Sequence, residues 1–296
     1  MAGDAARISG SNGLRRAVAR GDVIRVRRGV YVDAHRWADA DGDEKYRMRV
    51  RAAFLTRVAP LQVSHLSAAA LHRLPTVRGW PETVHAITPG APGGSSKHGI
   101  VTHSRVPPAA ELRVDGVTAT TLERTLVDVA STEPAAVSVP MLDHALRLGL
   151  TTRTALMGTL SEVPQGRARR AAESGLGFAT PLAESPGESL SRVLMHEWGF
   201  EAPELQVEFR LDGRVAVVDF SWPSQRLVGE FDGRAKYERA AYTRGLTAGE
   251  VVWREKRRED GLRRMGERVT RWTWELLLTP DRFAAHLRDA GVPAIR

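Results

Sequence analysis

The chain has 296 residues, 42% of them apolar and 26% charged, with a net charge of +8 and a pI near 10.5. This composition suits a folded protein of two or three domains and excludes a disordered chain, and no run of about 18 apolar residues offers a membrane span. There is no cysteine, which excludes disulfides, thiolate zinc sites and thiol catalysis, so any metal would be held by oxygen or imidazole.

The N-terminal stretch "MAGDAARISGSNG" lacks the basic-then-apolar pattern of a signal peptide, and the expected location is the cytoplasm. The basic balance favours an anionic partner, nucleic acid before a membrane surface. Only Lys45, Lys97, Lys236 and Lys256 of the 43 basic residues are lysine; a GC-rich genome could impose such an arginine bias without any function.

In chain order, "NGLRRAVARGDVIRVRRGVYV" predicts a short helix and then a hairpin that turns at Arg28-Gly29. Seven arginines face two aspartates between residues 15 and 36. A helix followed by a basic hairpin has the form of a winged helix, with Arg15, Arg16, Arg25, Arg27 and Arg28 as expected phosphate contacts; a solvated basic hairpin is the plain alternative. Residues 1–38 are assigned to this winged-helix-like region and 39–175 to a mixed α+β middle domain without a catalytic signature. "LQVSHLSAAALHRLP" predicts a strand end and a helix that stops before Pro75, with His65 and His72 as packing or surface residues. "TVHAITPG" and "GIVTHSRV" predict strands around the loop "PGAPGGSSKHG", which lacks phosphate-loop spacing. The polar stretch 161–184 reads as the boundary region, and the last domain is taken as 176–296.

This last domain is the most patterned. Ser185-Pro186-Gly187-Glu188 opens a helix with Leu190, Val193, Leu194 and Trp198 on one face. Strands are expected at 204–211 and 214–222, joined by the Asp212-Gly213 turn, and at 227–232 after Pro223. A helix to Gly266, the strand "RVTRWTW" and a capped final helix complete an α-β-β-β-α-β-α order. The expected class is α/β. A turn over Pro223–Arg226 would set Asp219 directly opposite Glu230, with Asp232 on the same face as Glu230. Like charges so placed repel. Either one carboxyl keeps its proton, or arginines neutralise the patch, or a divalent cation binds there; magnesium beside a basic surface would suit attack on phosphodiesters. Lys236 and Lys256 follow the acids as candidate proton-transfer groups, and Arg257 and Arg263 join the expected nucleic-acid contacts. Glu188 is a candidate site residue and also fits the third position of a capping box with Ser185.

The segments "ESPGESLSR", "VDFSWPSQRLVGEFDG" and "REKRREDGLRRMGERVTRW" resemble the PD-(D/E)xK nucleases, within them the very-short-patch-repair-like branch. The resemblance implies a restriction-endonuclease-like αβββαβ core that binds Mg2+ or Mn2+ at Asp219 and Glu230, with Glu188 assisting and Asp232-Gly233 as the branch's variant of the third strand. Position 232 is Asp where the superfamily has Lys, and Lys236 stands where the branch commonly has His. The front of the chain resembles the abortive-infection AbiEi-like antitoxins, on "LRRAVARGDVIRVRRGVYV" and "VSHLSAAALHRLP". The two resemblances together imply a magnesium-dependent DNA endonuclease in phage defence or DNA repair, or alternatively a DNA-binding regulator or antitoxin carrying an inactive nuclease fold. DNA is the expected partner; a homodimer and a partner toxin are left open.

Overall fold

The computed structural model describes residues 12–56, 61–87, 95–103, 111–211, 213–233 and 248–295. The protein is of the α/β class and divides into two compact units, Met1–Ala179 and Thr180–Arg296.

In the first unit, α1 (Asn12–Arg20) leads into a hairpin of β1 (Val23–Arg27) and β2 (Val30–Asp33), turning at Arg28-Gly29, where Gly29 takes φ 81°. The hairpin belongs to the same compact unit as the middle segment, and Arg27 Nη2 donates to the His98 carbonyl at 2.9 Å. After α2 (Ala34–Asp39) and α3 (Gly42–Leu55) comes a six-stranded mixed sheet. Its strands are β3 (Gln62–Val63), β4 (Val84–Ile87), β5 (Ser95–Lys97), β6 (Ile100–His103), β7 (Glu111–Val114) and β8 (Val117–Thr120), in the order β5-β6-β4-β3-β8-β7. Between β3 and β4 the chain forms α4 (His65–Leu71), and Tyr46, Val63, Leu71, Val84, Ile100 and Ala119 make the core around the sheet. A second core belongs to α5 (Leu122–Thr132), α6 (Ala135–Arg147), α7 (Arg153–Ser161) and α8 (Arg167–Phe178). The expected boundary region is thus largely helix: Ala172 and Leu176, one turn apart on α8, are buried in that core, and the units part at Ala179–Thr180.

The second unit follows the expected order: α9 (Pro186–Glu197), β9 (Glu204–Leu211), β10 (Arg214–Trp222), β11 (Leu227–Asp232), α10 (Ala248–Arg264), β12 (Arg268–Thr273), α11 (Trp274–Leu277) and α12 (Pro280–Ala290). The sheet runs β12-β11-β10-β9, with β11 and β12 parallel and the other pairs antiparallel. On one face Trp272 packs against Phe220 and against Phe283 of α12, and its indole donates to Ser191 Oγ of α9 at 2.8 Å. A Cβ on Gly187 would run into the Phe231 ring, so the missing side chain is what lets the start of α9 lie on β11. On the other face Leu262 of α10 packs with Val218 and Val228, flanked by Val207, Phe209 and Val269. Trp198, expected on the buried face of α9, instead ends the helix 39% exposed, with the Arg288 guanidinium 5.7 Å above its ring.

Candidate functional site

The β10–β11 ladder has the register expected from the sequence through Trp222↔Leu227, Ser221↔Val228 and Phe220↔Gly229, and there it stops. Asp219 and Glu230 are not the facing pair that continuation of the ladder would give. Instead Asp219 Oδ2 accepts the Phe231 N–H at 2.9 Å, a side chain standing in for the next ladder bond. The cause lies one strand away. Gln206 takes φ 53°, and the β9–β10 pairing omits the Gln206/Asp219 step. Val218 packs toward α10 while Phe220 packs toward Trp272 on the opposite face, so the side-chain alternation changes phase at Asp219 while the register of β9 and β10 is the same on either side of it. The carboxylate is re-aimed at the backbone of β11.

Glu230, only 3% exposed, is on the α10 face together with Arg271, its pairing partner on β12. Residues Glu255, Arg258, Glu259 and Leu262 lie one helical turn apart on the face of α10 that meets the sheet, and all four are half-buried or buried. Arg258 Nη2 forms ion pairs with Glu230 Oε1 and, at 2.7 Å, with Glu255, and Arg258 Nη1 donates to the Val217 carbonyl at 3.2 Å. Arg271 lies 3.0 Å from Glu230, 2.6 Å from Glu255, 3.3 Å from Glu259 and 3.7 Å from Asp232. Of the three outcomes open from sequence, the structure contains the arginine one.

Among the described residues Glu230, Asp232, Glu255 and Glu259 gather around Arg271, and Arg258 adds a second guanidinium against Glu230 Oε1 and Glu255. Burial lifts the Glu230 carboxyl above its ordinary range, and the charges of Arg258 and Arg271 limit the rise. Burial also pushes Glu255 up, but hydrogen bonds to Arg258 and Arg271 outweigh it and hold Glu255 below its usual value. The oxygen donors fit a hard cation in kind. Among the described residues, however, no three His, Asp or Glu side chains converge as a preformed metal site, so an ion here would have to displace Arg258 from Glu230.

Glu188 has a full set of local partners. Its N–H donates to Ser185 Oγ at 3.2 Å, its Oε1 accepts from Ser185 Oγ at 2.7 Å, and its Oε2 accepts from the Glu184 N–H at 2.8 Å and from Gln206 Nε2 at 3.2 Å. These are bonds of an extended capping box, and the link to Gln206 ties the start of α9 to the interrupted step of the β9–β10 pairing beside Asp219. Lys236 lies outside the described residues. Lys256 is exposed, one residue round the helix from Glu255, and the side chain that α10 sends to Glu230 is Arg258. Arg257 stacks over Trp253 with its guanidinium 4.9 Å from the ring centroid, while Arg263 pairs with Glu259 at 2.6 Å. In the first unit Arg15, Arg16, Arg25 and Arg28 are exposed.

The sequence reading missed Arg258 and Arg271, and it also missed a histidine cluster in the first unit. His65 is buried in strained φ 51° backbone and lies flat on His103, with ring centroids 3.5 Å apart; His85 Nδ1 and His103 Nε2 are 3.0 Å apart. Burial depresses all three pKa values, and repulsion from the neighbouring rings adds to it for His65 and His103, His103 falling to about 4. Stacked rings cannot both point in-plane lone pairs at one ion, so the three are packed neutral imidazoles and not a three-histidine metal site.

No family model matches the chain. It is 33% identical over 167 residues to an uncharacterized protein of Mycobacterium tuberculosis strain CDC 1551, and to the same extent to one of strain H37Rv. The match covers 56% of this chain and spans 60% of the length of each of those relatives. Among the described residues no helix is long and apolar enough to cross a membrane.

Proposed function

We propose that the second unit is a divalent-metal-dependent DNA endonuclease domain, with Asp219 and Glu230 as the metal carboxylates, and that the basic hairpin of the first unit contributes DNA contacts. The observation that supports this reading is the gathering of the buried Glu230 with Asp232, Glu255 and Glu259 around Arg271, beside Asp219 at the point where the β10–β11 ladder stops. Mg2+ or Mn2+ bound there would activate water and offset charge on the phosphate. The chain's own residues set the stage: the break in the β9–β10 pairing at Gln206 aims Asp219, Gly187 and Phe231 fix the end of β11, and Arg271 holds Asp232 and Glu230 on one face. Arg258, on the helix, is the movable group.

The alternative, a DNA-binding regulator or antitoxin with a retired nuclease fold, is favoured by one specific feature: Arg258 and Arg271 already ion-pair with Glu230 without a metal. A supercoiled-plasmid assay separates the two. The nuclease reading expects nicking or linearisation with Mg2+ or Mn2+, none in EDTA, and loss with Asp219→Asn. No cleavage by the wild-type protein with either ion, or equal cleavage by Asp219→Asn, would favour the regulator.

A further inference from the structure

A cleft of about 1020 Å³ opens between the β9–β10 hairpin and the first half of α10. Arg214, Val215, Trp253, Arg254, Arg257 and Arg258 give it its character, and among the described residues Glu250 is the one acid on its wall. Two features lack a structural account. Trp253 is 59% exposed on an otherwise strongly polar helix, and Val215 across the cleft is 57% exposed. A large aromatic left in water beside four arginines contributes nothing to the core of this unit, whose indoles Trp222 and Trp272 are buried.

We infer that this cleft binds single-stranded nucleic acid, with an unpaired base stacked on Trp253 and the flanking phosphates held by Arg214, Arg254 and Arg257. The chemistry selects the ligand. An indole face attracts another flat π system, and in a duplex the base faces are covered by their neighbours, whereas an unpaired strand offers them. Arg257, stacked 4.9 Å from the indole, limits the ring's rotation and places positive charge where the backbone of a stacked nucleotide would pass. An acidic protein segment would satisfy the arginines but leave the aromatic face without a flat partner. Arg258 belongs both to the cleft and to the Glu230 ion pairs, so a strand lying in the cleft would lead toward the carboxylates. This inference deepens the endonuclease reading and rests on it for its biological use, although binding is measured without cleavage.

The test is fluorescence anisotropy in EDTA, using a labelled oligothymidylate and a duplex of equal length. The wild-type protein should bind the single strand, and Trp253→Ala should weaken that binding roughly five- to 150-fold, the range for one lost base stack. Trp253→Phe should keep most of the affinity, and duplex affinity should be the same in all three. Arg257→Met should lower the salt slope for the single strand by about 0.7. Unchanged single-strand affinity in Trp253→Ala, or equal losses for both nucleic acids, would overturn the inference, as would an acidic peptide that displaces the oligonucleotide at equimolar concentration. Because Trp253 is exposed, matched melting curves verify that the variants fold. Asp219→Asn, which should abolish cleavage, should bind the strand like wild type, so failure of the cleft and failure of the metal site are read separately.

Discussion

Arg258→Met tests how the acid cluster is held together. Glu230 is 3% exposed and keeps Arg271 at 3.0 Å when Arg258 is removed, while Glu255 also loses a partner at 2.7 Å. Breaking a fully buried ion pair costs about 3–5 kcal/mol. Half of Glu230's pairing survives and the Arg258 side chain is itself a quarter exposed, so the expected loss is reduced to about 2 kcal/mol. For a unit of this size that corresponds to a fall in melting temperature of roughly 8–12 °C. The assay is thermal melting in EDTA followed by circular dichroism. Glu230→Gln in the same chain should restore much of the loss, because the variant no longer buries an under-compensated charge. Saturating Mn2+ should then raise the melting temperature of Arg258→Met more than that of wild type, since the ion no longer competes with a guanidinium. A single variant that melts like wild type in EDTA, or a double variant whose loss is the sum of the two single losses, would refute the reasoning.

Three further outcomes follow from particular contacts. Gly187→Ala drives a methyl into the Phe231 ring and should destabilise the second unit by about 1–3 kcal/mol, seen as a lower urea midpoint. Because His65, His85 and His103 have depressed pKa values, the unfolded chain binds more protons than the folded one. Their stabilisation is complete above about pH 6.5 and is lost as pH falls toward 4, opposed in part by Asp128, which burial raises to about 6; His103→Gln should flatten the dependence of the melting temperature on pH over that interval. Replacing the exposed Arg25 and Arg28 by Gln should lower the salt slope of duplex DNA binding by about 1.8, two phosphate contacts' worth, and an unchanged slope would remove the hairpin from the DNA surface.

What was legible in the sequence is what local pattern dictates. Alternating apolar residues, a glycine turn and Pro223 were enough to place β9, β10 and β11, and the same count gave the register as far as Phe220↔Gly229. The interruption at Gln206 was not legible, because a non-glycine residue at positive φ carries no sequence mark. Without it Asp219 was expected to face Glu230. The partners of Glu230 were hidden for another reason: Arg258 and Arg271 come from a helix and a strand later in the chain, and among 39 arginines the sequence does not single them out. Attention went to lysine on chemical grounds, and Lys256 proved to be exposed while Arg258 faces the sheet. In the boundary stretch, Gly and polar residues outweighed the Ala172/Leu176 pair that makes α8 a buried helix.

The central claim is that Asp219 and Glu230 hold a metal ion despite the arginines beside Glu230. Electron paramagnetic resonance of free Mn2+ during titration into the full-length protein measures this directly. The account predicts saturable binding in wild type, loss with Asp219→Asn and with Glu230→Gln, and tighter binding in Arg258→Met. Mn2+ that stays free in the presence of wild type, or binding untouched by either carboxylate substitution, would contradict it.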